Sequence, residues 1–316
     1  MRTGRWPARY RPHREDRSQK GRGLKIDDYR FCVIGPGRLG STLIAALDRA
    51  GLTVSAVGVH QEEDAGFGGG PARVRVVDTA LEADAWWLAV PDDDIFAVAG
   101  QIASALPGAR RSGRAPLAIH SSGLGSLHLL KPLHEAGVDV LCLHPLQTFP
   151  GDGKAEVLDG VPCAVTAWDE ALATLGEDLA GRLGMRPFRL ADDRKTLYHL
   201  AAAVACNLLV ALESDAANLM SEATRREDGA ALLAPLVKTT VDNLAARGPA
   251  GALTGPIARG DVATVRAHLR LLDREAPRVA SAYRALSLEA LALAAPRLDD
   301  ECVRVFKSIL SSETRP

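Results

Sequence analysis

Three histidines stand where an imidazole could do proton chemistry. His120 ends the apolar run that begins at Pro116 and opens the polar stretch His120-Ser121-Ser122-Gly123. His144 follows the apolar run Val138 to Leu143 and opens His144-Pro145-Leu146-Gln147-Thr148-Phe149. His199 lies in the long apolar segment KTLYHLAAAVACNLLVAL, where Lys195, His199, Ala203 and Asn207 recur at steps of four and so share one stripe of a helix. Imidazole titrates near neutrality, which suits proton transfer near pH 7. His199 is the first choice of acid, with His120 and His144 as alternates. An apolar helix has no packing use for His199 or Asn207. Buried without partners they would cost a few kcal/mol, so they either bond neighbouring helices or face a ligand. A further cluster is LTGPIARGD, Leu253 to Asp261, in which Arg259 can clamp a carboxylate and Thr254 can donate a hydrogen bond. There the alternative is that Asp261 caps the next helix and Arg259 is solvated. His268, further along that helix, reads as structural.

These groups need elements to hold them. Tyr29 to Gly40 reads YRFCVIGPGRLG, a strand that runs into a glycine turn and then into the helical stretch STLIAALDRAG. In a dinucleotide-binding turn Gly35 permits the tight bend, Gly37 lets the backbone approach a pyrophosphate, and Gly40 lets helix and sheet pack closely. Pro36, Arg38 and Leu39 complete the turn, and the helix amino end offers free N–H groups to phosphate. Apolar strand candidates recur at 53–59, 74–77, 85–90, 116–120, 138–143, 163–166 and 186–190. Helical patterns at 95–106, 124–136 and 168–183 separate most of them. That alternation implies a mostly parallel sheet covered on both faces. The glycine-rich stretch 61–71 reads as a surface loop. Beyond Asp192 the character is helical: one helix of roughly seven turns over Leu197 to Ala223, then helices at 230–246, 262–272, 278–294 and 300–310. The expected fold is α/β: an N-terminal Rossmann-type, doubly wound parallel sheet followed by an all-α domain. The expected divisions are a disordered basic arm (1–27), a dinucleotide-binding domain (28–190) and a helical substrate and dimerisation domain (191–316).

The end of the second strand decides which dinucleotide is expected. An NAD-preferring turn has a carboxylate there for the ribose 2′-hydroxyl. Here the strand ends VGVHQEED, placing His60 at that position with Arg38 available from the glycine turn, so NADP is expected in preference to NAD. Glu62 or Glu63 reaching the ribose would reverse that preference. Val90 and Pro91 end another strand beside the expected nicotinamide path, and Asp92 and Asp93 read as the amino cap of the following helix. Ser121, Ser122 and Gly123 fall at a strand end where open parallel sheets bind small molecules.

Composition limits the remaining classes. The 316 residues carry a formal net charge of -1, which argues against a nucleic-acid or anionic-membrane surface over the folded part. The first 25 residues are the exception, since Glu15 and Asp16 alone oppose their many Arg and Lys residues. No secretory signal is seen and no segment is expected to span a membrane, so a cytoplasmic protein is expected. The 5 cysteines are scattered without a CxxC pair and read as small core residues in a reducing compartment. No metal site is expected, because the histidines lack ligand spacing. Apolar residues on nearly every side of the long helix, such as Leu208, Leu209, Val210 and Leu212, imply burial all round, part of it by a second copy of the chain. A homodimer is therefore expected.

With GPGRLG, LAVPDDDI, HSSG, HPLQTF, HLAAAVACNLLVAL and LTGPIARGD in this order, the chain resembles a bacterial family of Rossmann-like oxidoreductases with a C-terminal helical domain. The resemblance runs from about Tyr29 to Leu310. Related groups include 6-phosphogluconate and 3-hydroxyisobutyrate dehydrogenases, pyrroline-5-carboxylate reductases, prephenate dehydrogenases and 2-ketopantoate reductases, and the chain is most similar to an alternative class of the last. The resemblance implies an NADP-dependent reduction of a small 2-keto acid, with 2-ketopantoate foremost. His199 would be the acid, Asn207 and Ser122 would orient the carbonyl, and Arg259 would hold the carboxylate. The ordinary pattern of a lysine followed by asparagines at steps of four is met only at Asn207, with His199 in the lysine's place. A prephenate-type dehydrogenase, an imine reductase and a non-catalytic NADP-binding regulator are the alternatives.

Overall fold

The apolar runs between residues 31 and 189 pair into an eight-stranded sheet of order β3-β2-β1-β4-β5-β6-β7-β8. The computed structural model describes residues 25–59, 72–106 and 115–311. In chain order the elements of the first part are β1 (Phe31–Ile34), α1 (Arg38–Arg49), β2 (Val54–Val59), β3 (Ala72–Arg75), α2 (Thr79–Glu82), β4 (Ala85–Leu88), α3 (Asp92–Ala105), β5 (Leu117–His120), α4 (Lys131–Glu135), β6 (Asp139–Pro145), β7 (Pro162–Thr166), α5 (Glu170–Arg182) and β8 (Arg186–Arg189). All neighbouring strands run parallel except β6 and β7. The register aligns Ile34 with Leu88, Leu88 with His120, and His120 with Cys142. One row of residues thus crosses the centre of the sheet, through the last residues of β1, β4 and β5 and the middle of β6.

Both faces of the central strands are buried, so these strands read as unbroken apolar runs. Phe31, Val33 and Trp87 point into a core shared with Leu43 and Leu47 of α1 and Leu175 and Leu179 of α5. Cys32, Ile34, Trp86 and Leu88 point into a second core with Ile95, Val98 and Ile102 of α3. The alternation of successive residues between the two cores is the period-two geometry of a strand.

The second part consists of α6 (Lys195–Ala205), α7 (Asn207–Thr224), α8 (Gly229–Ala252), α9 (Val262–Glu275), α10 (Pro277–Ala294) and α11 (Asp300–Ser311). The chain divides into compact units at Ala203/Val204, so the first two turns of α6 belong with the sheet. In the second unit Val265, Leu269, Leu291, Phe306 and Leu310 form a core of α9, α10 and α11. Helices α7 and α8 approach closely at Gly229, where a Cβ would stand 2.3 Å from the Ala217 carbonyl oxygen.

Several expectations are corrected. The folded chain begins by Ile26, which is buried, and Asp27 pairs with Arg182, so the expected arm loses its last residues to the fold. The helix expected from Leu124 starts as a 3-10 turn at Leu127 and ends as the short α4. The seven-turn helix is two helices parted at Cys206, which has φ -117° and ψ -68°. Contrary to the expectation that no segment could cross a membrane, Asp192–Thr224 is long and apolar enough to do so by length and composition. Nor is that stretch buried: Leu197, Leu200, Leu208 and Val210 are all exposed in the single chain.

Candidate functional site

The carboxyl ends of β1, β4, β5 and β6 lie along one edge of the sheet, where parallel α/β sheets bind their ligands. At that edge Gly35 has φ +86°, and a Cβ on it would stand 2.8 Å from the Ala89 carbonyl oxygen and 3.0 Å from Val90 Cγ1. The glycine turn is therefore pressed against the end of β4 and brings Val90 and Pro91 beside it. Gly40 is tighter still, with its Cβ position 2.0 Å from the Gly35 carbonyl oxygen. A Cβ on Gly37 would meet nothing within 4 Å, and Gly37 is the N-cap of α1, whose first turn holds no acidic residue. The two crowded glycines make the turn. The open one leaves space in front of a helix N-terminus with free N–H groups, which fits a pyrophosphate. Arg38 is exposed, and its stem packs under Gly151. Pro36 is half-buried, and Leu39 packs against the sheet core. His60, Glu62 and Glu63 lie outside the described residues, as does the expected 61–71 loop apart from its neighbours at the strand ends.

The second half of the site is built on β5, β6 and α6. Gly123 sits between two imidazoles: a Cβ there would be 2.8 Å from His144 Nε2 and 2.8 Å from His199 Cδ2. His144 Nδ1 lies 2.7 Å from the Tyr198 hydroxyl. His199 is exposed, whereas His144 is half-buried. Burial, with the Lys195 and His199 charges adding to it, holds His144 down to about 4. It is therefore neutral at pH 7.

His120 does not suit the acid role. It is fully buried, its Nδ1 accepts from the Ser122 N–H at 3.2 Å, and its Nε2 has no hydrogen-bond partner among the described residues. Burial first, then the charges of Lys195 and His144, lower it to about 3. Ser122 is also occupied: its hydroxyl donates to Asp92 at 2.5 Å and accepts from the Gly125 N–H at 2.6 Å. It fixes the turn after β5 and has no hydrogen left for a carbonyl. Asp92 is thus not the amino cap of α3, a position held by Pro91. It stands in the first turn of that helix, where carboxylates are favoured, and holds Ser122. The Ser121 hydroxyl accepts from Trp87 Nε1 at 2.8 Å.

Lys195 is the residue that sequence reasoning passed over. It is 1% exposed, and its ammonium donates to the Ser122 carbonyl and to Cys142 Sγ, each at 2.9 Å. With Tyr198 and His199 it occupies one face of α6 at i, i+3 and i+4. That spacing was visible in KTLYH, and a lysine bounding an apolar helix was the one available signal of its burial.

The remaining expected residues fall in the second unit and are described there. Asn207, Thr254 and Arg259 are exposed. Asp261 caps α9, accepting from the Thr264 N–H at 3.0 Å and the Thr264 hydroxyl at 2.7 Å, and these bonds lower its pKa. His268 pairs with the Tyr283 hydroxyl at 2.9 Å. Among the described residues no group of three or more His, Cys, Asp or Glu side chains is placed to hold a metal ion.

Comparison with known families accounts for both parts. Residues 15–145 match a Rossmann-like domain, and residues 161–290 match a domain of unknown function, DUF2520. No curated protein matches the chain. Among solved structures it is similar to a putative NADP oxidoreductase, BF3122, from Bacteroides fragilis, with 22% identity, a TM-score of 0.66, and 85% of this chain and 100% of that one covered. It is also similar to protein TM1727 from Thermotoga maritima, with 23% identity, a TM-score of 0.60, and coverage of 88% and 99%. An imine reductase from Myxococcus stipitatus, solved with NADP+, has 17% identity, a TM-score of 0.57, and coverage of 88% and 99%. At these identities the likeness is one of fold. It places a Rossmann-like sheet with a helical C-terminal region in all of them.

Proposed function

We propose that the chain is an NADP-dependent oxidoreductase that reduces the carbonyl of a small 2-keto acid, with 2-ketopantoate the first substrate to test. One observation carries the chemistry: His144 Nε2 and His199 converge on Gly123 at the same sheet edge as the glycine turn. Gly35, Pro36, Gly37, Arg38, Leu39 and Gly40, with Val90 and Pro91, would hold the cofactor, and Arg38 and His60 give the preference for NADP. A bound nicotinamide supplies the hydride. Neutral His144 offers a hydrogen bond to the carbonyl oxygen and, being far below its usual pKa, is a poor source of a full proton. The exposed His199 beside it delivers the proton. On the resemblance alone, Asn207, Thr254 and Arg259 are assigned to orient the substrate and hold its carboxylate. Neither His120 nor Ser122 touches substrate in this scheme.

The test is loss of nicotinamide absorbance with purified protein, NADPH or NADH, and a panel of 2-keto acids and cyclic imines. Turnover with a keto acid, abolished in His199→Ala while NADPH binding persists, is the expected result. Tight NADPH binding with no turnover on any member would replace the enzyme with a nucleotide-binding regulator. Turnover of imines alone would move the assignment to imine reduction. The proposal includes a cytoplasmic location, where the free cysteines stay reduced. It also includes a homodimer that covers the exposed leucines of α6 and α7, a stretch whose Glu213 and Asp215 suit a protein interface better than lipid. Light scattering at micromolar concentration should give twice the chain mass, and a monomer would refute the dimer.

A further inference from the structure

Tyr198 has no part in the scheme above, yet its hydroxyl lies 2.7 Å from His144 Nδ1. We propose that Tyr198 is a positioning residue, donating its hydroxyl proton to His144 Nδ1 and so holding the imidazole as the tautomer whose Nε2–H is directed to Gly123. The inference rests on the oxidoreductase reading for its consequence and on geometry alone for the tautomer.

A neutral imidazole carries one proton, and the hydrogen bond made by one nitrogen decides where it resides. His144 is the hydrogen-bond partner of the Tyr198 hydroxyl among the described residues. If Nδ1 carried the imidazole proton, it would donate to the phenol oxygen, and the phenol proton would have no acceptor among those residues. If the phenol donates, both atoms of this contact are satisfied, and the imidazole proton on Nε2 is left for a carbonyl oxygen. Burial raises the phenol above its usual range, so it keeps its proton at neutral pH. The rings are held for this bond. His144 and Tyr198 meet edge to face, with centroids 5.4 Å apart and planes at 90°, and the ring of Phe188 of β8 also meets Tyr198, with centroids 6.0 Å apart. Lys195, one turn earlier on α6, anchors the helix to β5 and β6 through Ser122 and Cys142. The tautomer matters because Nε2–H attracts a carbonyl oxygen, whereas an Nε2 lone pair repels it.

The experiment is nitrogen-15 NMR of histidine-labelled protein with NADPH, for wild type and Tyr198→Phe, followed by kinetics on the same samples. The phenylalanine keeps the ring contacts and removes only the donor. Wild-type His144 should show a protonated Nε2 and an unprotonated Nδ1. In Tyr198→Phe the two tautomers should mix, with kcat down about tenfold and with KM and NADPH affinity within twofold. A wild-type His144 protonated at Nδ1 overturns the proposal, as does an unmixed Nε2–H tautomer in the variant. Because the tautomer is read without turnover, an inactive wild type would discredit the reductase reading and leave this result standing.

Discussion

Lys195 Nζ lies 2.9 Å from Cys142 Sγ and 2.9 Å from the Ser122 carbonyl, so one buried ammonium ties the first turn of α6 to the turn after β5 and to the middle of β6. Burial raises the Cys142 thiol, and the ammonium acts in the opposite direction, lowering it. The partner of this lysine is therefore a thiol and not a thiolate, and its charge is free to act on the neighbouring imidazoles. It contributes to the depression of both His120 and His144. Replacing Lys195 with Met should raise the pKa of His144 while leaving it below 6.5, since burial is the larger cause. The Ser122 carbonyl keeps the Cys142 thiol as a donor at 3.4 Å, so losing the ammonium bond should cost about 1–2 kcal/mol of stability. An NMR titration of the histidine ring protons decides the matter, and an unmoved His144 would show that the lysine charge is not felt there.

The same two histidines govern acid stability. In the folded chain His120 and His144 stay neutral down to about 3 and about 4 respectively, whereas each titrates near 6.5 when unfolded. Their folded pKa values are lowered, so below about pH 6.5 the unfolded chain binds more protons than the native one, and stability falls as the pH falls. The stability they contribute is full above the unfolded value and is lost progressively, towards pH 4 for His144 and towards pH 3 for His120, at a slope of roughly two protons near pH 5. Urea midpoints at pH 7.5, 6 and 5 measure the slope, and His120→Asn should remove about one proton from it. Equal slopes for wild type and variant would mean that His120 charges in the native state.

The sheet was legible because its strands are buried on both faces, and FCVI, AWWL and LAIH have no other stable use between helices. The glycine turn was legible for a related reason: Gly35 and Gly40 are demanded by backbone crowding, which leaves a trace in residue type. The helix break at Cys206 left none, since neither Pro nor Gly marks it. Ser122 and Asp92, 30 residues apart, could not be paired by reading, because an acidic residue at a helix start looks the same whether it caps the helix or holds a distant serine. Lys195, named in the helical stripe, was given no role for a comparable reason. Lysine is seldom buried, and only the pairing of β5 with β6 creates the carbonyl and thiol that accept its protons. Asp261, whose bonds are to Thr264 within one turn, was read correctly as a possible cap because its partner is local.

The glycine turn supplies a paired test of the cofactor site. Gly37 has φ -74°, which alanine adopts freely, and its Cβ would stand in open space. Gly37→Ala should fold normally, with Tm within about 3 °C of wild type, but should bind NADPH at least about tenfold more weakly because the methyl group occupies the pyrophosphate approach. Gly40→Ala should instead destabilise the fold by about 1–3 kcal/mol, since its Cβ meets backbone that cannot swing aside. Titration by nicotinamide fluorescence, beside thermal melts, separates the two. Normal NADPH affinity in Gly37→Ala would place the cofactor elsewhere.

Gly123 lies between the two histidines and gives the sharpest test of their joint role. Its φ is not in the left-handed region, so an alanine there strains nothing in the backbone. What the added methyl meets is ring edge on both sides, 2.8 Å from His144 Nε2 and from His199 Cδ2. His199 is exposed and can swing away, whereas His144 is held by Tyr198, so the fold should survive with little change in Tm while the imidazoles separate. A displacement of that size at reacting groups is worth about 10- to 100-fold in kcat. Gly123→Ala should therefore lose turnover by that factor with NADPH binding intact, and stopped-flow single-turnover rates would place the loss in the chemical step. An unchanged single-turnover rate would mean that the reacting carbonyl does not sit between these two histidines.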